Sequence, residues 1–296
     1  MMENLPEQRP LSPFPSVLLF TATIFLSFLL IGPLIGFLVA LPFYSGNFFS
    51  LLEEMTNGKF NEETRLPLLI MQGCATAIGL IAIPAMAYQL IVRMKFARLF
   101  TSSSILVLGI TACAVVTFMF PNSVIIEWNA GLKFSGSFWS WARELEDNGE
   151  KLTKFITDFQ SVSDFILVFI VVAVLPAIGE EFAFRGWLQP ALHKLFSAFH
   201  FQFFGFVPRM LLGAMFGYMM FWSNNLWVPI SAHFVNNGFS VVMMYLYQQK
   251  VMELDPASTE SLPLMYVIPF TALFAFLMIY LKKIIGTREK ATQSIQ

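Results

Sequence analysis

Apolar runs recur along this chain at a length near 20 residues, which matches the thickness of a bilayer's hydrocarbon core. Clear runs occupy about 16–41, 66–92, 103–121, 164–184, 227–247 and 264–285, with a weaker one at 207–222 and a short one at 187–204. Shielding them from water would take polar surface that the chain lacks. It is 56% hydrophobic and 12% charged, against about 25% charged for an ordinary soluble domain. The bilayer is therefore its solvent. In lipid each backbone polar group must be satisfied within the protein, so runs of this length are read as α-helices. Gly32, Pro33, Pro84 and Pro176 fall inside them and are tolerable where neighbouring helices satisfy the freed groups. The first run has about 25 residues and no small-residue cleavage site behind a short core, so it reads as a retained span.

Charge orients the bundle. Arg93, Lys95 and Arg98 stand together without an acid, and Lys282, Lys283, Arg288 and Lys290 crowd the C-terminus. The alternate loops are acidic or mixed, with Glu53, Glu54, Glu62 and Glu63 in one, Glu144, Glu146, Asp147 and Glu150 in another, and Glu253, Asp255 and Glu260 in a third. The positive-inside rule puts both termini in the cytoplasm, which requires an even number of crossings. The expectation is an all-α, polytopic transmembrane bundle of about eight spans in the plasma (inner) membrane, with 187–204 short or re-entrant. No internal repeat or low-complexity tract is visible.

The one sizeable segment outside the membrane is 122–163. Leu152, Phe155, Ile156 and Phe159 recur there at helical spacing, as in a helix lying on the membrane surface or packed on its own bundle. Cys74 and Cys113 sit in apolar runs and read as small buried hydrophobes. A net charge of −1 excludes a nucleic-acid partner held through phosphates. The partners expected are membrane lipid and a peptide or membrane-protein substrate.

Function enters through polar groups in apolar helices. A charge near the bilayer centre costs several kcal/mol, so intramembrane ionisable residues are functional candidates by default. Gly179-Glu180-Glu181-Phe-Ala-Phe-Arg185 closes the run that begins near Asp164. Adjacent residues point about 100° apart on a helix, so the two carboxylates take different roles. Glu181 and Arg185, four apart, can pair on one face. Glu180 is left to project elsewhere, where a desolvated carboxylate can act as a general base on water. Pro176 and Gly179 sit one turn earlier and can loosen the helix. The second cluster is Phe196-Ser-Ala-Phe-His200, with His193 one face-repeat before it and read as interfacial. The third is His233-Phe-Val-Asn236-Asn237. His233 and Asn237 share a helical face and suit an oxyanion-binding pair, or a metal ligand with its orienting group. Asn236 points to another face and reads as packing. A polar helix–helix contact would place the same residues there.

Glu180-Glu181-x-x-x-Arg185, Phe196-x-x-x-His200 and His233-x-x-x-Asn237 resemble, in order, the three motifs of the CPBP family, the CAAX-protease and bacteriocin-processing (Abi) intramembrane proteases. The resemblance covers about 164–245 and is supported by the flanking GEEFAFRGWLQPAL. It implies a core at 164–247, preceded by spans and an outer segment over 1–163 and followed by the last span and basic tail over 248–296. It implies Glu180 as the base that activates water, Glu181 and Arg185 as a supporting pair, and His200 as a second catalytic or metal-contacting group. His233 and Asn237 would stabilise the oxyanion or complete the site. Such a family is described as glutamate-dependent or as metalloproteases. Glu180, His200 and His233 could hold one Zn²⁺, whereas a glutamate–water pair with a His/Asn oxyanion site needs no metal. Family members usually place a longer segment between the Arg and Phe/His motifs. Here ten residues separate Arg185 from Phe196, and 187–204 covers about 27 Å as a helix, barely a crossing.

The leading expectation is an intramembrane endopeptidase acting on a prenylated or CAAX-like, bacteriocin-like or other membrane-associated substrate. The shortened segment keeps a catalytically silent scaffold or immunity protein in view. Intramembrane Glu and His also serve proton-coupled transporters, but neither an inverted repeat nor paired broken helices are apparent.

Overall fold

The computed structural model describes residues 13–56, 60–92, 99–132, 135–189 and 206–293. Every regular element among them is helical. The first run forms α1 (Pro13–Leu26), a π-helical turn (Ser27–Ile31) and α2 (Gly32–Ala40). After the short α3 (Phe48–Thr56) come α4 (Glu62–Thr76), a second π segment (Ala77–Ala82) and α5 (Ile83–Ala87). Then follow α6 (Ile105–Ala130), α7 (Ser137–Ile156) and α8 (Val162–Phe169). A π segment (Ile170–Val174) joins α8 to α9 (Leu175–Glu181), which runs into a further π segment (Phe182–Leu188). The last three are α10 (Phe206–Ser223), α11 (Trp227–Gln248) and α12 (Leu264–Gln293).

Five of these assemblies are long and apolar enough to cross a membrane: Leu18–Phe43, Glu62–Leu90, Ile105–Ala130, Val162–Leu188 and Leu264–Gly286. The sequence boundary at 121 is corrected. Ser104 caps α6 through its hydroxyl, and the helix continues through Pro121 to Ala130.

Close helix contact is bought with small residues. Gly32 and Gly36 on α2 lie against α4 so tightly that an added Cβ would sit 2.8 Å from Ala75 Cα and 2.7 Å from Met71 Cα respectively. This GxxxG spacing lets backbones approach where lipid gives no hydrophobic drive to associate. The neighbouring π turns meet as well, with Ser27 Oγ donating to Gly79 O at 2.6 Å.

Three apolar clusters surround the helix that carries the Glu pair. One joins α6, α10, α11 and α12 through Val115, Phe118, Phe216, Met219, Ala232 and Leu281. A second joins α1 to the Glu-bearing helix through Phe20, Ile24, Tyr88, Phe182 and Ile230. The third answers the question about the outer segment. Ile156 and Phe159, with Leu152 and Phe155 beside them, pack on Leu69, Val168, Val171 and Val241, so the apolar stripe of α7 is turned onto the bundle. The cysteines differ from expectation: Cys113 is exposed and Cys74, which faces Gly36 of α2, is only half-buried.

Two sets of contacts mark opposite ends. Leu226 N donates to Leu99 O at 2.9 Å and Asn225 Nδ2 to Thr101 O at 2.9 Å, joining the start of α11 to the loop before α6. Far from it, Gln248 Nε2 donates to Thr157 O at 2.6 Å, and Arg65, buried, donates to Ile156 O at 3.2 Å.

Candidate active site

The two adjacent glutamates separate as helix geometry requires. Glu181 is fully buried, whereas Glu180 is half-buried and its carboxylate has no hydrogen-bond partner among the described residues. What buries Glu181 is its ion partner. Arg185, one turn on, places Nη1 3.0 Å from Glu181 Oε1, while its Nη2 donates to Gly213 O on α10 at 3.1 Å. One turn further, Gln189 Nε2 donates to Gly217 O at 3.1 Å. The Gly213-x-x-x-Gly217 spacing on α10 thus receives two donors at matching spacing on the Glu-bearing helix.

α11 supplies the other side. His233 Nδ1 lies 2.8 Å from the same Glu181 Oε1, and its ring stacks on Phe216 at a centroid distance of 5.5 Å and 26°. The Arg185 guanidinium lies over the same Phe216 ring, 5.8 Å from its centroid. Phe216 therefore stands against both the imidazole and the cation. Asn237, one turn past His233, has Nδ2 3.2 Å from His233 Nε2 and 3.0 Å from Val172 O. Asn236 Nδ2 donates to Asn237 Oδ1 at 3.1 Å.

Proton positions follow from what each partner is able to do. A carboxylate oxygen only accepts, so His233 Nδ1 carries its proton toward Glu181. Val172 O also only accepts, so the nitrogen of the Asn237 amide faces it. That same amide donates to His233 Nε2, leaving the neutral imidazole in its Nδ1–H form. Val172 lies in the π segment, whose carbonyls face N–H groups five residues on, and Pro176, which has no N–H, falls within that turn. A side chain from α11 meets the Val172 carbonyl there. Gly179 serves differently. A Cβ there would sit 2.9 Å from Leu80 Cβ, so it lets the Glu-bearing helix press against the second span.

The cluster lies toward one end of the bundle. Glu181 is about 10 Å of helix from Leu188 and about 28 Å from Val162, and His233 is about 9 Å past Trp227. Those near ends adjoin the contacts of residues 99–101 with 225–226.

Glu181, Arg185, His233 and Asn237 are therefore brought together, with Glu180 the chain neighbour of Glu181 on the same helix. Phe196, His193 and His200 lie outside the described residues. The described part of the site does not fit a metal. Both ring nitrogens of His233 are engaged in hydrogen bonds, and no group of three metal-ligating side chains occurs among the described residues. Asn236, read as packing, turns out to hold Asn237. Phe216, Gly213 and the Val172 carbonyl were also missed, although Pro176 four residues after Val172 and the paired glycines of α10 were visible signals.

Residues 162–239 match a family model described as type II CAAX prenyl endopeptidase Rce1-like. No curated protein and no solved structure matches the chain. The matched stretch runs from the first residue of α8 into α11, and it contains Val172, Glu180, Glu181, Arg185, Gly213, Phe216, His233, Asn236 and Asn237. Over those residues the chain is similar to the CAAX prenyl endopeptidases that the model describes.

Proposed function

We propose that the chain is an intramembrane endopeptidase in which Glu180 activates water to hydrolyse a peptide bond of a membrane-associated substrate. The observation that carries this reading is the joined set Arg185–Glu181–His233–Asn237, linked at 2.8–3.2 Å inside apolar helices, with a second, separately facing carboxylate next to it.

The geometry supports the following roles. Glu180 removes a proton from water, whose oxygen attacks the peptide carbonyl carbon. The proton then passes from Glu180 to the leaving nitrogen as the C–N bond breaks. Charge gathers on the carbonyl oxygen in between. Asn237 has one N–H on Val172 O and the other resting on His233 Nε2, and the substrate oxygen takes over the second. A neutral His233 offers Nε2 only as an acceptor. Where it takes a proton from solvent before the attack, it becomes a donor to the same oxygen, Glu181 stabilises the imidazolium, and the proton returns to solvent when the product leaves. Arg185 holds Glu181 in place from the other side. No step passes through a metal.

The orientation proposed puts the site in the cytoplasmic half of an inner membrane. Residues 93–98, rich in Arg and Lys, precede the loop that contacts the start of α11, and the positive-inside rule assigns that end to the cytoplasm. Eight crossings with both termini inside remain part of this reading, as does the division into 1–163, a 164–247 core and 248–296. The family match favours a prenylated CAAX-type substrate over a bacteriocin-like one.

The test is cleavage of a farnesylated peptide ending in a CAAX sequence by the purified protein in proteoliposomes. Glu180→Ala is expected to lose at least a hundredfold in kcat, within the range general-base catalysis contributes. Cleavage by that variant at the wild-type rate would end the proposal.

A further inference from the structure

From the geometry around Asn237 we infer that Pro176 and Asn236 are positioning residues, which fix the Asn237 carboxamide and through it the tautomer that His233 presents. The kinetic part of this inference rests on the protease reading above; the tautomer part does not.

A carboxamide is nearly symmetric in shape, and turning it over exchanges a donor for an acceptor. Which way Asn237 faces therefore decides what it offers His233. Two neighbours settle the matter, and neither touches the imidazole. Pro176 acts by subtraction. It withholds one N–H from the turn that follows Val172, and Asn237 Nδ2 takes the Val172 carbonyl at 3.0 Å. Asn236 acts from the opposite side, donating to Asn237 Oδ1 at 3.1 Å. With both ends of the amide held, Nδ2 stands 3.2 Å from His233 Nε2, which has to accept. The ring proton is then on Nδ1, facing Glu181 Oε1 at 2.8 Å. Groups on α9, α11 and the π segment between α8 and α9 thus agree on one tautomer. A neutral imidazole with Nε2 unprotonated is also the form able to receive a proton on the side nearest the Asn237 amide.

The competing account makes Pro176 a helix kink and Asn236 a packing contact, and one substitution separates the two. Pro176→Ala restores the missing N–H to that turn, so a backbone donor competes with Asn237 for Val172 O. As a helix repair the change holds or raises thermal stability; as a loss of position it harms His233. Asn236→Asp is nearly isosteric but sets a carboxylate oxygen against Asn237 Oδ1, pushing the amide out of register with its volume unchanged.

The measurement uses the full-length protein in detergent micelles, labelled with ¹⁵N-histidine. The chain has three histidines, and the His233 signals are assigned by their loss in His233→Gln. The wild type is expected to show the Nδ1–H tautomer alone, and both variants a mixture of tautomers. With the farnesylated CAAX peptide, kcat should fall about tenfold, the order expected for one lost positioning hydrogen bond, while KM stays within about twofold. A wild type in the Nε2–H form, or variants that keep the pure Nδ1–H form, would overturn the inference. Should Pro176→Ala fail to fold, Asn236→Asp decides alone. Should Glu180→Ala cleave normally, the protease reading fails while the tautomer result still stands or falls by itself.

Discussion

Removing Glu181 and Arg185 together should cost less than the sum of removing each. Both hydrogen bonds to Glu181 converge on one oxygen, Oε1, from Arg185 Nη1 at 3.0 Å and His233 Nδ1 at 2.8 Å. Its Oε2, also buried, makes no hydrogen bond among the described residues. Glu181 has no exposed side-chain surface and Arg185 only 11%, so solvent screening does little for either charge. Breaking a buried pair from one side strands the other charge, at about 3–5 kcal/mol. That is the expected cost of Glu181→Ala, and of Arg185→Met, which also frees Gly213 O. The double variant strands no charge, so its destabilisation should fall short of the sum by about 2 kcal/mol or more, well above the ~0.5 kcal/mol within which independent sites add. Glu181→Gln is a graded control. One amide oxygen can accept both bonds, so the geometry survives and the charge assistance goes, for a cost of about 2 kcal/mol. Reversible unfolding in mixed micelles, followed by circular dichroism, reads all four variants. Additive single variants, or a Glu181→Ala within 1 kcal/mol of wild type, would refute the claim that this pair is a coupled, desolvated unit.

Arg65 should behave in the opposite sense. It is buried, yet its Nη1 is 3.8 Å from Asp164 Oδ2 and its Nε makes no hydrogen bond among the described residues. Arg65→Met is thus expected within about 1 kcal/mol of wild type or above it, whereas Asp164→Asn, which leaves the buried cation unpaired, loses about 1–3 kcal/mol. A strongly destabilised Arg65→Met in the same unfolding assay would contradict this. For orientation, Ser258→Cys is expected to react with a membrane-impermeant maleimide applied outside intact cells, and Ser102→Cys only after permeabilisation. Both are placed in a background with Cys74 and Cys113 replaced, and the reverse labelling pattern would invert the proposed topology.

What the sequence made legible was whatever a single helix determines. Glu181 with Arg185 and His233 with Asn237 are four-residue pairs, and both are made. The 100° step between neighbours foretold that Glu180 and Glu181 would part company. The bond between Glu181 and His233 spans 52 residues and depends on how closely α9 meets α11, which no local pattern states. Asn236 was misjudged by applying the same 100° rule too strictly. A carboxamide is long enough to turn back along the helix surface and reach the side chain of its neighbour. The limit of the run at Pro121 failed for another reason. Proline marks a probable break, yet α6 continues through Pro121 to Ala130.

That contrast between Pro121 and Pro176 bears on how the site arises. Both prolines leave the preceding turn one backbone donor short, and in a membrane the carbonyl left over needs a partner from elsewhere. At Pro176 the partner is the Asn237 side chain, so the requirement to satisfy one carbonyl also fixes the register between the Glu-bearing helix and α11. The register, in turn, brings His233 to Glu181. Backbone chemistry that would be a defect in a simple span here aligns two helices, and the polar residues are held where lipid alone would penalise them. Asn237 can therefore be separated from His233 without touching either residue, by giving the turn after Val172 back its missing donor.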